Sequence, residues 1–288
     1  MKFPEIYAPA SLAEIWTLQS ELAGKYALAA GGTDLLVESS RLNPDRHLID
    51  LSGVPELKGL ARLEGGIIFG ALTTMSALAA NETIIREASA LAQAAGRVGS
   101  WQIRNRATIG GNLANASPAA DTPPALAALE TTVELFSPAG RRTLPVEEIP
   151  VGPNQNSLKT GEVLTAFNLP LKDGRISAFK KLGSRSEVSI ARLNLAAAVT
   201  AEQGQLSEAR VFLGTLGLAL RRSPAAEAVL IQEGFKQGGE PFAEALMETI
   251  NRAIPGRATL PYKTSAVRAL AEDLLDDLQG KLQERAGK

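Results

Sequence analysis

The 288-residue chain contains no cysteine. Disulfides, thiolate catalysis and cysteine-ligated zinc or iron–sulfur sites are therefore excluded from this polypeptide. Histidine is nearly as scarce. His47, in "DRHLID", is the single one, and a metal site needs several convergent ligands, so a structural or surface role at the start of a strand is expected. Net charge is lacking too: at -1 it implies neither nucleic acid nor an anionic membrane as a partner. No apolar run reaches the roughly 18 residues that span a bilayer. The start, "MKFPEIYAPASLAEI", lacks the continuous apolar stretch of a signal peptide, and a cytoplasmic protein is expected. The nucleotide signatures GxGxxG and GxxxxGKS/T are absent as well.

What is present is an ordinary globular composition, 45% hydrophobic and 21% charged, able to bury sizeable cores in two domains or in one divided into lobes. "SLAEIWTLQSEL" predicts a helix, with Ser11 and Glu14 at capping-box spacing and Leu12, Ile15, Trp16 and Leu22 on one face. "KYALAA" predicts a short buried strand running into "GGTDLL", and "GLARLEGGIIFGA" a hairpin turning at Gly65–Gly66. An alanine- and leucine-rich helical region follows and stops at Gly96 and Gly99. "DTPPALAALE" predicts a short helix with proline in its first turn, and "TVELFSPAGRRTL" a second hairpin. Beyond "GEVLTAFNLP" the texture changes. "RISAFKKL", "LNLAAAVTAE" and "SEARVFLGTL" predict antiparallel strands, followed by three helical stretches. Meander strands succeeded by helices point to an α+β lobe distinct from the first, with a boundary near residues 171 to 177.

The chemistry concentrates in "LAAGGTDLL" and "TIGGNLANASPAAD". Each places paired glycines after an apolar stretch and follows them with short polar residues. Glycine permits positive φ and close approach of a ligand to the main chain, so successive N–H groups can converge on an anion. Each such bond to a charged oxygen is worth about 1.5–3 kcal/mol. Two loops of this kind would hold a diphosphate without a lysine. The competing reading, two tight turns with no ligand, stands for either segment taken alone.

"AAGGTDLL", "QIRNRATIGGNLANASPAADTPPALAAL" and "FKKLGSRSEVSIARLNLAAAV" resemble the FAD-binding (medium) subunit of molybdenum hydroxylases, the family of xanthine, carbon monoxide and nicotinate dehydrogenases. The resemblance covers essentially the whole chain. It implies an α+β protein with a p-cresol-methylhydroxylase-type FAD-binding fold over 1–174, in two α/β subdomains of about 1–55 and 56–174, followed by a small C-terminal α+β domain over 175–288. It implies FAD on this chain, with a [2Fe-2S] cluster and molybdopterin on partner subunits, which accords with the missing cysteines. Electrons would pass from the [2Fe-2S] subunit through FAD to NAD+ or another acceptor.

By the same resemblance Leu28, Ala29, Ala30, Gly31, Gly32, Thr33, Asp34 and Leu35 form the first cofactor-binding segment. Thr108, Ile109, Gly110, Gly111 and Asn112 form the second, with Ser117 beyond it. Asp121 matches a carboxylate that contacts the cofactor, Leu164 an apolar residue of its surroundings, and Lys181 a lysine near the isoalloxazine. Lys180 leaves that register open by one. No catalytic side chain and no metal ligand is assigned. Arg104 and Arg106 admit phosphate binding, bracing of the loop or contact with the iron–sulfur partner, with bracing favoured. Arg185 and Arg192 admit an approach to flavin or nucleotide. Glu187–Val188 stand where many members carry aspartate, which puts a carboxylate role there in doubt. The stretch around Arg192 resembles the xanthine dehydrogenase branch, a hint of a purine or N-heterocycle substrate. Two rival functions are a stand-alone flavin reductase of the same fold, similar to the one acting on UDP-N-acetylenolpyruvoylglucosamine, and a flavin-free assembly subunit.

Overall fold

A computed structural model describes residues 3–37, 45–185, 188–202, 205–217, 220–237 and 239–286. The chain opens with β1 (Ile6–Tyr7), α1 (Leu12–Glu21), β2 (Tyr26–Ala29) and β3 (His47–Asp50). These strands form a parallel sheet in the order β1-β3-β2. Half of the expected capping box starts α1: Ser11 Oγ accepts from the Glu14 N–H at 3.2 Å, but the Glu14 carboxylate accepts from the N–H of Ala10, one residue before the cap, at 2.7 Å. His47 stands at the head of β3, its ring 5.7 Å from that of Tyr7. Trp16 on α1 meets Phe136 edge-on at 4.7 Å, which ties this unit to the next.

The next unit begins with the expected hairpin, β4 (Leu60–Leu63) and β5 (Gly66–Gly70), turning through Gly65 at φ 76°. Helices α2 (Met75–Ala80), α3 (Glu82–Glu87), α4 (Ser89–Gly96), α5 (Trp101–Arg104), α6 (Ile109–Asn115) and α7 (Thr122–Ala128) follow. Then come β6 (Thr132–Ser137), β7 (Gly140–Pro145), the short pair β8 (Pro150–Gly152) and β9 (Gln155–Asn156), and β10 (Val163–Pro170). The main sheet is antiparallel in the order β4-β5-β10-β6-β7. β10 lies at its centre although it comes last in sequence, so the sheet closes around a long-range pairing. Phe69 and Phe167 face each other across it with rings stacked at 5.2 Å.

The strands β11 (Arg175–Leu182), β12 (Leu193–Glu202), β13 (Gln205–Gly214) and β14 (Arg221–Arg222) make an antiparallel sheet in sequence order. Three helices complete the chain: α8 (Pro224–Gln237), broken at Gly234, α9 (Gly239–Ala253) and α10 (Leu260–Ala286). β12 is buried from Leu193 to Thr200 because both of its faces are covered. Leu193, Leu195, Ala197 and Val199 pack with Leu230, Phe242 and Leu274 of the C-terminal helices. Ala196 and Ala198, one residue out of phase, pack with Phe179 and Phe212 into the core of the five-stranded unit. The helical lobe thus shares one sheet with the body in front of it. Among the described residues no helix is long and apolar enough to cross a membrane.

Candidate functional site

In an open parallel sheet the chain leaves strands at their carboxyl ends, and the crevice there is where ligands bind. β2 ends at Ala29, and Ala30 to Leu35 run off that edge; β3 ends beside it at Asp50, followed by Leu51. Gly32 turns this segment at φ 72°. Among the described residues the amides of Gly31, Gly32 and Thr33 have no protein acceptor. They are the free donors that an anion site requires.

The second glycine segment is built differently, and here the expectation of a loop is corrected. Thr108 caps α6, its Oγ1 accepting from the Gly111 N–H at 3.2 Å, so Gly110 and Gly111 lie in the first helical turn. The amides of this turn are already engaged. The Ile109 N–H donates to Thr73 O at 3.0 Å, Gly110 N–H to Ala71 O at 2.9 Å and Asn112 N–H to Thr108 O at 2.9 Å. Glycine is needed at 110 for proximity: an added Cβ would lie 2.7 Å from the Ala71 Cβ and 2.8 Å from its carbonyl. Gly31 shows the same requirement more severely, with a virtual Cβ 1.9 Å from Arg106 O. The two segments are therefore pressed against each other, and they meet at one cavity.

That cavity encloses about 750 Å³, within the range of small-molecule and cofactor sites. Its lining includes Leu28 to Leu35, Thr108, Gly110, Gly111, Asn112, Ser117, Asp121, Leu164 and Lys181. Of the residues expected to bind the cofactor, all but Ile109 line this cavity. Ile109 is fully buried in the hydrophobic core, because the helical turn aims its side chain away from the opening. Lys180 and Lys181 are also separated. Lys180 turns to Asp277 on α10 at 2.8 Å, whereas Lys181 reaches the cavity, as alternation along a strand demands.

Asp121 precedes α7 and makes no capping bond. Its carboxylate instead accepts from Lys181 Nζ at 2.5 Å and from Asn194 Nδ2 at 3.2 Å. Lys181 also donates to Arg97 O at 2.9 Å. Burial pushes the Asp121 carboxyl above the usual carboxylate range, and Lys181, Asn194 and the charge of Arg97 offset only part of that rise.

Of the arginines, Arg104 is the expected brace: its Nη1 donates to Val98 O at 3.2 Å and Gly99 O at 3.0 Å, on the loop that lines the cavity. Arg106 contributes its carbonyl, the atom Gly31 packs on. Arg185 and Arg192 do not line the cavity. Arg185 donates to Val188 O at 2.9 Å, and Arg192 lies over the Tyr262 ring at 5.9 Å. Val188, Ser189 and Ile190 of the same stretch form the wall instead, with Val188 held at φ 48°, a rare conformation for a β-branched residue. Glu187 lies outside the described residues.

One wall had no motif to announce it. Asn156, Leu158, Glu162 and Val163 line the cavity from the β9–β10 connection. Arg142 grips Glu162 through Nε and Nη2, at 2.6 and 2.8 Å, and Nη2 also donates to Ser157 O at 3.1 Å. Asn156 ties the loop to α6 through Ala114 O at 2.7 Å. Arg142 sits on β7 far from Glu162 in sequence order, which is why spacing alone gave no signal. The Arg142 guanidinium holds the Glu162 carboxyl below the usual carboxylate range. Because the folded value is the lower one, this pair stabilises the protein above the unfolded carboxylate pKa of about 4.3 and is lost as pH falls through the folded value. Glu162→Gln is expected to cost about 1–2 kcal/mol at neutral pH and to flatten the acid limb of the stability curve, as read by thermal melts. An acid limb identical to that of the unaltered chain would refute the clamp.

The sequence relations agree with this geometry. Residues 1–172 match the family model described as the FAD binding domain in molybdopterin dehydrogenase. The chain is 31% identical to the nicotinate dehydrogenase FAD-subunit of Eubacterium barkeri, over 99% of this chain and 100% of that protein. It is 29% identical to the xanthine dehydrogenase FAD-binding subunit of Escherichia coli O157:H7, over 89% and 91%. Among solved structures, a carbon monoxide dehydrogenase chain from Hydrogenophaga pseudoflava superposes with a TM-score of 0.88 at 29% identity, covering 98% of this chain and 99% of that one. Quinoline 2-oxidoreductase from Pseudomonas putida 86 superposes with a TM-score of 0.87 at 26% identity, covering 98% and 100%. The chain belongs to the family of FAD-binding subunits of molybdenum hydroxylases.

Proposed function

We propose that this chain is the electron-transfer subunit of a molybdenum hydroxylase complex, receiving electrons from a [2Fe-2S] subunit and passing them through FAD to NAD+ or another acceptor. The observation that carries the reading is the meeting of two glycine segments at one cavity, with the amides of Gly31, Gly32 and Thr33 unspent. Those donors suit the diphosphate of FAD. The apolar residues Leu28, Leu51, Leu57, Leu72 and Leu164 suit its ring systems and keep water from them. FAD bound there supplies the one- and two-electron chemistry that none of the lining side chains possesses. The protein's own share is to bind, to orient and to set charge, the last through Lys181 and Asp121 at the wall. No general acid or base is required of it.

Partners carrying [2Fe-2S] and molybdopterin fit a chain without cysteine whose relatives are named as medium or FAD-binding subunits. A cytoplasmic complex and an N-heterocyclic substrate, bound on the molybdenum chain, complete the reading. The relatives named for xanthine and nicotinate support that substrate class.

Purification of the native complex tests the assignment. Flavin absorbance is expected, together with a cysteine-rich chain and a molybdenum chain in the same peak. A colourless chain migrating alone would overturn it. Within the chain, Gly111→Val is expected to prevent FAD retention, because the new side chain would stand at the cavity wall, its Cβ 2.9 Å from Thr108 Oγ1 and 3.8 Å from the Ala30 Cβ. Stoichiometric flavin in that purified variant would remove α6 from the site.

A further inference from the structure

β12 carries a polar side chain, Asn194, at the second position of its buried stretch. Asn194 has no exposed surface, and it lies on the sheet face shared with Ala196 and Ala198, where an apolar residue would be expected. Burying an amide costs free energy unless its hydrogen bonds are made. Here its NH2 group is fully engaged: Nδ2 donates to Ala120 O at 3.1 Å and to Asp121 Oδ1 at 3.2 Å. Both neighbours are acceptors only, so the amide nitrogen must face them. Among the described residues the amide oxygen has no partner, so the side chain's hydrogen bonds run toward Ala120 and Asp121 alone.

The register explains the arrangement. Asn194 and Lys181 are direct cross-strand partners on β12 and β11. Side chains opposite each other in an antiparallel pair share one face. They close on the same carboxylate from two sides, Lys181 on Oδ2 at 2.5 Å and Asn194 on Oδ1. Asp121 is thereby drawn away from the helix cap that an aspartate in its position usually makes. Asn194 does not line the cavity; Asp121 and Lys181 do.

We propose that Asn194 is a positioning residue: it holds the Asp121 carboxylate ionised and turned toward Lys181, and through that carboxylate governs how the cavity binds flavin. The inference rests on the FAD site proposed above. The charged groups facing Asp121 are Lys181 from β11 and Arg97 from the end of α4, and Asn194 adds the neutral donor from β12. Removing that donor weakens the ionised form. Replacing it by a second carboxylate makes two acids compete for one proton.

The two replacements have opposite signatures. The purified chain, stripped of flavin, is titrated with FAD from about pH 5.5 to pH 8.5 and followed by fluorescence, with circular dichroism as the check on folding. For the unaltered chain the Kd is expected to stay within about twofold across this range, because Lys181 and Asn194 both donate to the carboxylate. Asn194→Leu is expected to bind about tenfold more weakly at the acid end and to recover at the alkaline end, tenfold being the size of one hydrogen bond to a charged group. Asn194→Asp is expected to slope the other way. At low pH its acid proton replaces the amide N–H, and as that proton leaves, binding falls by about tenfold. A merely structural asparagine would give two variants with parallel profiles, and that result overturns the proposal. Should neither variant fold, Asn194→Ser, which adds neither volume nor charge, decides between pH-dependent and unaltered binding. An unaltered chain that takes up no FAD at any pH would fail the flavin site itself; normal uptake with all profiles superimposed would fail Asn194 alone.

Discussion

Gly31→Ala is expected to abolish stable flavin binding. The added Cβ would lie 1.9 Å from Arg106 O, 2.7 Å from Arg106 C and 3.1 Å from Ala107 Cα, all main-chain atoms. Those atoms cannot retreat cheaply. Ala107 N–H donates to Ile103 O at 2.7 Å, and Ala107 O accepts from Met75 N–H at 2.9 Å, so the segment is pinned on both sides. The first segment must move instead, carrying the unspent amides of Gly31, Gly32 and Thr33 out of position. Loss of two bonds to charged oxygens is about 3 kcal/mol or more, which is a drop in FAD affinity of about 100-fold or greater. Overpacking adds a stability loss of about 1–3 kcal/mol. Gly280→Ala is the control, since a Cβ there meets nothing within 4 Å. A Gly31→Ala chain that purifies with the same flavin-to-protein ratio as the control would show that the two segments need not touch.

The second large effect concerns stability. Arg175→Leu is expected to destabilise the chain by about 2–5 kcal/mol, seen as a lower urea midpoint. Arg175 is 3% exposed at the start of β11, where the chain passes from the five-stranded sheet into the four-stranded one. Its guanidinium donates to Pro170 O on β10, to Leu129 O after α7 at 3.3 Å, and to Glu130 Oε2 at 3.4 Å. Leucine fills much of the volume but leaves the Pro170 and Leu129 carbonyls short of a donor in a buried junction, while Glu130 keeps Lys172 at 2.7 Å. Lysine restores the charge without the planar fork, so Arg175→Lys should recover only part of the loss. A leucine variant with an unshifted midpoint would mean that apolar packing alone holds the junction.

Much of the architecture was legible in the residues. The helix at Leu12–Glu21 announced itself through Ser11 and Glu14, the hairpins through Gly65 and "SPAG", and β12 through the apolar run "LAAAV". The second glycine pair was not. Glycine is a poor helix former, so "TIGG" read as a turn. The segment is helical because Thr108 caps it and because its amides dock on Ala71 and Thr73, a tertiary contact that outweighs propensity. The one available signal was Thr108 itself, a good N-cap residue three positions before Gly111. The wall at Asn156–Val163 was equally silent, since Arg142 recruits Glu162 from a different strand.

The sequence by itself determined what chemistry this polypeptide lacks, which segments approach a ligand through main chain and small residues, and where strands and helices alternate. Those properties follow from composition and from periodicity, which are local. The tertiary structure decided that Lys181 rather than Lys180 faces the cavity, that Gly110 serves packing rather than anion binding, and that Asn194 reaches Asp121. Strand alternation divides residues between two faces but does not say which partner covers each face. That choice is made only when distant sheets and helices pack together.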